Sequence, residues 1–149
     1  MKFPNEKEIA RLREKYPVGT IIKLIIMNDP YHPVPPGTLG EVTMVDDAGT
    51  IHTNWSTGSS LGLIEGVDSF TIVDGVKTIC YGESKLWESR KDAVAIFLEG
   101  KNASDGSEKQ RYSNVYLKLI MGSKICDDSD CPWSGFVKET ALSLYCILP

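Results

Sequence analysis

Five short runs of β-branched and apolar residues, separated by turn residues, occupy the first half of the chain. The runs span residues 20–27, 39–45, 50–55, 59–63 and 69–73. The first is apolar almost throughout, as in a strand buried on both faces, and the third alternates apolar and polar positions. Gly49 and Gly58 lie between runs, where tight turns require them. Five short strands with tight turns and a long first loop predict a small SH3-like β-barrel.

The segment before these runs has the pattern of a short helix. Asn5 is a suitable N-cap residue, and Glu8 three positions later completes a capping box. Ile9, Leu12 and Tyr16 then follow at helical spacing, before a proline ends the helix. A helix this short persists only when it packs on other structure. We therefore expect it to pack on the barrel.

The second half of the chain has helical patterns. After an expected strand at residues 76–81, Ser89 caps a helix from Arg90 to about residue 98. A polar connector leads to a second helix, in which Ser107 and Gln110 form the capping box. Its apolar positions recur at helical spacing up to residue 119 or 121, where a glycine follows. This half is therefore expected to contain a strand and a helical hairpin.

Together these patterns predict an α+β chain with two parts. Residues 1–75 hold the N-terminal helix and the SH3-like five-stranded barrel, and residues 76–149 hold the strand and the helical hairpin. Residues 136–148 are apolar enough for a last strand or helix, which would cover the hairpin or form a dimer seam.

Charge is unevenly distributed along the chain, whose net charge is −4. Residues 1–23 carry six basic and three acidic side chains, residues 24–76 carry seven acidic and no basic ones, and residues 77–149 carry ten of each. Affinity for a phosphate backbone depends on lysine and arginine contacts. An acidic barrel lacks these contacts, so we expect no tight binding of duplex DNA.

Nucleic-acid binding therefore rests on basic side chains outside the barrel. The candidates are Lys7 and Arg11 on the N-terminal helix, and Lys109 and Arg111 on the last helix. Helix surfaces commonly carry mixed charge that is salt-bridged or solvated, and this is the favoured interpretation of the basic residues on the last helix.

The four cysteines, Cys80, Cys126, Cys131 and Cys146, all lie in the second half. The charged N-terminus has no apolar signal core, so reduced thiols in the cytoplasm are expected. A zinc site needs about four ligands in close spacings, and the single CDDSDC loop does not supply them. We predict no metal and no cofactor.

The long loop of residues 28–38 is the strongest candidate for a binding surface. Its four prolines restrict the backbone and reduce the entropy lost when a partner docks. An aromatic side chain on such a loop is the kind of contact that dominates interfaces, and acidic side chains raise association with a basic partner. The candidate binding residues are Asp29, Tyr31, His32, Asp46 and Asp47. The competing interpretation is a loop that only closes the barrel end.

Catalytic chemistry has little support in the sequence. His32 and His52 are the histidines on which a small nuclease would rest, but neither lies beside a serine or cysteine in a nucleophile motif. The GSSLG segment lacks the lysine and helix that follow a phosphate-binding loop. No catalytic residue is assigned, and a non-enzymatic role is favoured.

A long run in the first half carries a family resemblance. It begins at Asp29 and reads DPYHPVPPGTLGEVTMVDDAGTIHTNWSTGSSLGLIEGVDSF. This run resembles the uncharacterised domain-of-unknown-function family 4314, over about residues 16–73. The resemblance implies a setting in bacterial mobile elements such as plasmids and phages, and no particular reaction. The helical segment of the second half resembles a region that often follows the barrel in the same proteins.

These observations predict a non-enzymatic interaction protein of a mobile element, whose acidic barrel binds a basic, nucleic-acid-handling host protein. An anti-CRISPR or anti-restriction inhibitor of a defence nuclease fits this description. The alternatives are a nucleic-acid-binding accessory or regulatory protein of a plasmid or phage and, with less support, a small nuclease. No apolar run is long enough to span a membrane. The oligomeric state stays open.

Overall fold

The structure, a computed structural model, describes residues 4–130. Its elements in chain order are α1 (Glu6–Lys15), β1 (Ile21–Ile26), β2 (Leu39–Val45), β3 (Ile51–Trp55), β4 (Ser69–Ile72), β5 (Val76–Cys80), β6 (Glu83–Trp87), α2 (Arg90–Asn102), α3 (Gly106–Ile120) and β7 (Ile125–Asp127). The strands form a four-stranded sheet, ordered β3-β2-β1-β4, and a three-stranded sheet, ordered β6-β5-β7. The mixed α+β class is therefore confirmed. The apolar segment at residues 136–148 lies outside the described residues.

The four-stranded sheet is antiparallel throughout, with β1 and β2 at its centre. Strand β1 has the continuous apolar character of a central strand, and Ile22 and Leu24 are its most buried side chains. Strand β2 passes Trp55 at Gly40, where a Cβ atom would lie 2.7 Å from the indole ring. Glycine at this position therefore lets the tryptophan pack flat on the sheet.

Helix α1 packs on this sheet through the face that the sequence predicts. The Asn5 side chain accepts a hydrogen bond from the Glu8 backbone N–H (2.9 Å), which confirms the N-cap. Leu12 and Tyr16 join the buried strand residues in one hydrophobic cluster, and the Tyr16 ring lies 5.5 Å from the Phe70 ring. We call α1 and the four-stranded sheet, residues 4–73, the N-terminal unit.

The C-terminal unit, residues 76–130, has its own hydrophobic cluster. Strands β5 and β6 form a hairpin, and β7 adds to β5 in parallel. Helices α2 and α3 form the predicted helical hairpin and bury Phe97 and Tyr116 against this sheet. The Phe97 ring makes edge-to-face contacts with the rings of Trp87 (6.4 Å) and Tyr112 (6.1 Å). None of the helices in residues 4–130 has the length and apolar character needed to cross a bilayer.

The two units touch each other directly. Lys77 on β5 forms an ion pair with Glu41 on β2 (3.1 Å), and Lys23 on β1 forms one with Glu88 (2.8 Å). Gly75 lies at the connection, where a Cβ atom would come within 2.7 Å of the Ile21 side chain. The connection is therefore too closely packed to hold any side chain.

The predicted fourth strand, residues 59–63, is reduced to one bridging residue. Leu63 donates a backbone hydrogen bond to Ile51 (2.9 Å) and accepts one from it (2.8 Å), as an isolated bridge. Two residues earlier, the Leu61 carbonyl accepts a hydrogen bond from the Trp55 indole N–H (2.9 Å). The backbone here therefore bonds to the Trp55 side chain instead of continuing a strand ladder. Trp55 itself is a core residue, as predicted, and no closed barrel forms among the described residues.

The second half differs from its prediction in three elements, of which the first is the short strand β7, which was not predicted. Helix α2 continues to Asn102 instead of ending near residue 98, because Gly100 lies under the Tyr112 ring and the α2–α3 contact extends the helix. Strand β6 was not predicted, since its residues are mostly polar and exposed and show no strand periodicity. Its pairing with β5, across the turn at Tyr81 and Gly82, determines its structure.

The capping box predicted for the last helix is wrong. Helix α3 begins at Gly106, with Asp105 as the N-cap residue, so Ser107 already lies inside the helix. The Gln110 side chain donates instead to the Asn114 side chain one turn later (3.0 Å).

Candidate functional site

The loop between β1 and β2 is shaped by its own side chains. Asp29 Oδ1 accepts hydrogen bonds from the backbone N–H groups of Tyr31 (2.8 Å) and His32 (3.1 Å). These bonds hold the pKa of the Asp29 carboxyl below its ordinary value. Further along the loop, Val34 is buried in the core of the N-terminal unit. Val34 therefore anchors the loop, and Tyr31 is left outside the core.

A second aspartate ties this loop to the turn before β4. Asp68 Oδ1 accepts the Asn28 backbone N–H (2.8 Å), and its Oδ2 accepts the Ile64 backbone N–H (2.9 Å). One carboxylate therefore joins the start of the loop to a turn distant in sequence. The turn itself requires Gly66, whose φ of 89° lies in the left-handed region.

Four large apolar side chains are exposed at this end of the sheet. Ile25 and Ile26 are 52% and 62% exposed, because the β1–β4 pairing shifts register after Leu24 and interrupts the alternation of β1. Tyr31 is 83% exposed and Val67 is 52% exposed. We call these four residues, together with Asp29 and Asp68, the loop-end surface.

The two aspartates of the loop-end surface form no ion pair with a lysine or arginine among the described residues. The cations of α1 that reach this acidic stretch pair instead with Glu65 and Asp47. The carboxylates of Asp29 and Asp68 are each held by backbone N–H groups, as described above. The loop-end surface therefore combines exposed apolar side chains with two carboxylates, a combination that suits contact with another macromolecule.

The predicted binding residues Asp46 and Asp47 lie at the β2–β3 hairpin and have different roles there. Asp46 Oδ1 accepts the backbone N–H groups of Ala48 and Thr50 (2.9 Å each), and its Oδ2 lies 2.8 Å from His52 Nε2. Asp47 is 99% exposed at its side chain and contacts Arg13 of α1 (2.9 Å). Asp46 therefore shapes the turn, and Asp47 forms an exposed ion pair.

The hydrogen bond from His52, followed by those from Thr50 and Ala48, lowers the pKa of Asp46 below its ordinary 3.8. A lowered folded-state pKa stabilises the fold above the unfolded-state pKa and loses this contribution as pH falls through the folded value. We expect Asp46→Asn to lower the free energy of unfolding by about 1 kcal/mol at neutral pH.

The difference between wild type and Asp46→Asn should persist down to about pH 5 and then shrink as the pH falls further. Urea unfolding at a series of pH values measures it, and Asp47→Asn serves as the exposed control with little effect. A difference that stays constant down to pH 2 would contradict this role for Asp46.

The cations proposed for nucleic-acid binding are partly committed to acidic partners. Arg11 and Lys15 of α1 both pair with Glu65 (2.7 Å and 3.4 Å). Arg111 pairs with Asp128 (2.8 Å). Lys7 and Lys109 form no ion pair among residues 4–130, and they lie on different helices in different units.

The two histidines, His32 and His52, lie in different parts of the N-terminal unit. His52 bonds to Asp46 at the hairpin, whereas the backbone N–H of His32 donates to Asp29 in the loop. No hydrogen bond in the described part of the chain joins the two rings. The same part of the chain contains no cluster of three His, Cys, Asp or Glu side chains that would hold a metal.

Cys80 and Cys126 are free thiols, whereas Cys131 and Cys146 lie outside the described residues. Burial raises the pKa of both described thiols above its ordinary 9.0. A raised pKa keeps a thiol protonated and therefore weakly reactive. These two cysteines are better suited to packing than to redox or nucleophilic chemistry.

Sequence reasoning found part of the loop-end surface. It named Asp29, Tyr31 and His32, which lie in the β1–β2 loop, and it named Asp46 and Asp47, which lie at the β2–β3 hairpin. It missed Asp68 and the exposed pair on β1. The signal for Asp68 was its position after Glu65 and Gly66 in a turn, where an aspartate caps backbone N–H groups.

Residues 5–73 match the family model of DUF4314, which is described as a domain of unknown function. This match confirms the resemblance carried by the run that begins at Asp29, and it covers the N-terminal unit. No curated protein matches the chain. No solved structure matches it either. Every residue of the loop-end surface lies inside the matched range.

Proposed function

We propose that this protein is a non-enzymatic interaction module, which captures a macromolecular partner at the loop-end surface. One observation carries the proposal: Ile26 of β1 and Tyr31 of the loop that follows are both largely exposed, and the carboxylates of Asp29 and Asp68, which bond to the backbone of this loop, form no ion pair with lysine or arginine among the described residues. Exposed apolar patches of this kind mark interaction sites in soluble proteins. The carboxylates are already oriented by backbone bonds, so binding costs them little conformational entropy.

The partner that suits this surface presents an apolar side chain flanked by lysine or arginine. The apolar group would displace water from the isoleucine pair and the tyrosine ring, which supplies affinity. The basic groups would meet Asp29 and Asp68, which raises the association rate and fixes orientation. This chemistry agrees with the basic partner predicted from the charge distribution.

The strand arrangement supports the narrower proposal of an open SH3-like unit. The order β4-β1-β2-β3, continued by Leu63 beside Ile51, places the last strand next to the first, with a long loop after β1. SH3 domains use aromatic side chains near such loops to bind peptides. The analogy concerns architecture, and the exposed residues carry the functional argument.

The setting in a mobile element, and an anti-CRISPR or anti-restriction role against a host defence nuclease, are compatible with an acidic inhibitor of this kind. The DUF4314 match assigns no such role. Nucleic-acid binding is the weaker candidate, since Arg11 and Arg111 each pair with a carboxylate.

Selection from a random peptide library tests the proposal. We expect the wild-type protein to enrich peptides that combine apolar and basic residues. Tyr31→Ser and Ile26→Ser should each weaken the selected peptides about tenfold or more, the effect of removing a central apolar contact. Met44→Ser is the matched control, because Met44 is a comparably exposed apolar residue on β2.

The result would count against the proposal if Met44→Ser weakened binding as much as the loop-end variants did, or if acidic peptides were enriched. Thermal unfolding of each variant accompanies the binding measurement. We expect unchanged melting temperatures, because surface substitutions of exposed side chains alter the free energy of unfolding by only about 0.5 kcal/mol.

A further inference from the structure

A groove of about 460 Å³ lies between the two units, away from the loop-end surface. Residues 54–56, at the end of β3, line one side, and residues 84–86 of β6 line the other. The ion pair of Glu41 and Lys77 also faces it. Sites that bind ligands commonly have such a volume and such a position between two packed parts of a chain.

Strand β6 presents unpaired backbone groups along this groove. The turn at Tyr81 and Gly82 has φ values of 53° and 76°, which are typical of a two-residue hairpin turn. In such a hairpin the closing pair, here Cys80 and Glu83, is hydrogen bonded, and the bonding alternates along the strands. The N–H and C=O groups of Ser84 therefore point away from β5. By the same alternation, those of Leu86 also point away from β5.

The pairing of β5 supports this alternation independently. Lys77 lies opposite Leu86 in the hairpin, and its backbone N–H bonds outward to the Lys124 carbonyl (3.1 Å) beside β7. A residue whose backbone bonds outward cannot also bond across its own hairpin pair. Leu86 therefore also directs its backbone outward. Within residues 4–130 neither Ser84 nor Leu86 has a backbone partner on that edge.

The lining of the groove has a net positive charge. Its charged side chains are Glu41, Lys77 and Lys85. The first two form an ion pair, and Lys85 Nζ lies 4.0 Å from the centre of the Trp87 ring, in a cation–π contact. Lys85 forms no ion pair among the described residues and leaves one cation available to an incoming acidic group.

We propose that the groove binds an extended acidic segment of a partner protein, which adds to β6 as a fourth strand of the C-terminal sheet. The backbone groups of Ser84 and Leu86 would bond to the added strand, and Lys85 would meet one of its carboxylates. An unpaired strand edge readily accepts such an addition. This site is distinct from the loop-end surface. It favours an acidic partner, whereas the loop-end surface favours a basic one.

Amide hydrogen exchange of the full chain tests the strand addition. The probe is a capped Val-Glu-Val-Glu-Val peptide, and its Val-Lys-Val-Lys-Val counterpart is the control. In the free protein, we expect the Ser84 and Leu86 amides to exchange quickly and the Lys85 amide, which bonds to β5, to exchange slowly. The acidic peptide should slow exchange at Ser84 and Leu86, and the basic peptide should do so less.

Two variants separate backbone pairing from charge. Ser84→Pro removes one outward N–H at an edge position where proline is tolerated, so the acidic peptide should bind roughly two- to tenfold more weakly, the effect of one net hydrogen bond. Lys85→Glu should reverse the preference between the acidic and basic peptides. Retained slow exchange of the Lys85 amide in Ser84→Pro shows that the hairpin is still folded.

Three results would overturn the proposal. The first is slow exchange at Ser84 and Leu86 in the free protein at every concentration, which means that the edge is already covered. The second is protection that grows with protein concentration alone, which means that a second copy is the occupant. The third is a failure of millimolar acidic peptide to slow exchange at these amides, whether or not the peptide binds elsewhere.

Discussion

Leu63→Ala is expected to lower the free energy of unfolding by about 2–5 kcal/mol, the usual range for removing a fully buried leucine side chain. Leu63 has no exposed surface and packs in the core of the N-terminal unit. Its backbone is also paired with Ile51 in both directions, so the surrounding chain has little freedom to close the cavity. A leucine outside any strand thus completes the core.

Urea unfolding followed by tryptophan fluorescence measures this loss, and Val67→Ala is the control. Val67 lies in the same segment but is half exposed, so its truncation should change the free energy of unfolding by no more than about 0.5 kcal/mol. Equal effects of the two substitutions would show that the bridging residue does not complete the core.

Lys118→Met is expected to destabilise the C-terminal unit by about 1.5–3 kcal/mol, the range for losing hydrogen bonds to charged groups. The Lys118 ammonium is nearly buried and pairs with the Asp127 carboxylate. It also donates to the carbonyls of Asp127 (3.2 Å) and Ser129 (2.7 Å). Methionine fills the same space but satisfies none of these acceptors, so the segment after β7 loses its support on α3.

Chemical denaturation together with amide exchange of β7 measures this effect. Lys109→Met is the matched control, because Lys109 is an exposed lysine on the same helix with no ion pair among the described residues. The hydrogen bond from Lys118 lowers the pKa of Asp127, so the variant should also raise that pKa toward its ordinary value. An unchanged Asp127 titration would contradict the pairing.

Local sequence patterns predicted the elements whose own residues determine them. Helix α1 and strand β3 appear where capping and alternation place them, since a side-chain cap and a buried face are local properties. Strand β6 was not predicted, because its pairing with β5 determines its structure. Residues 59–63 were predicted as a full strand, but the Trp55 indole bonds to this segment and only Leu63 forms a bridge. Such tertiary effects leave no periodic signal in a short polar segment.

The charge pattern along the sequence predicted that the N-terminal unit is rich in acidic residues, but it did not predict which of these residues pair with cations on the folded surface. Seven acidic residues without a basic one predict an acidic unit, yet Arg11, Arg13 and Lys15 of α1 reach across to Glu65 and Asp47. Linear charge counting cannot show which acids a neighbouring helix neutralises. The acids left without a cation beside the apolar patch became visible only in the folded arrangement.

The central claim, that Tyr31 lies in the contact surface, is tested most directly by photocrosslinking. A photoreactive benzoylphenylalanine is placed at position 31 or, as control, at position 44, and each protein is irradiated with the tightest library-selected peptide. We expect the peptide to crosslink to position 31 and not to position 44, and an excess of unlabelled wild-type protein to abolish the crosslink. Efficient crosslinking at position 44 with none at position 31 would contradict the claim.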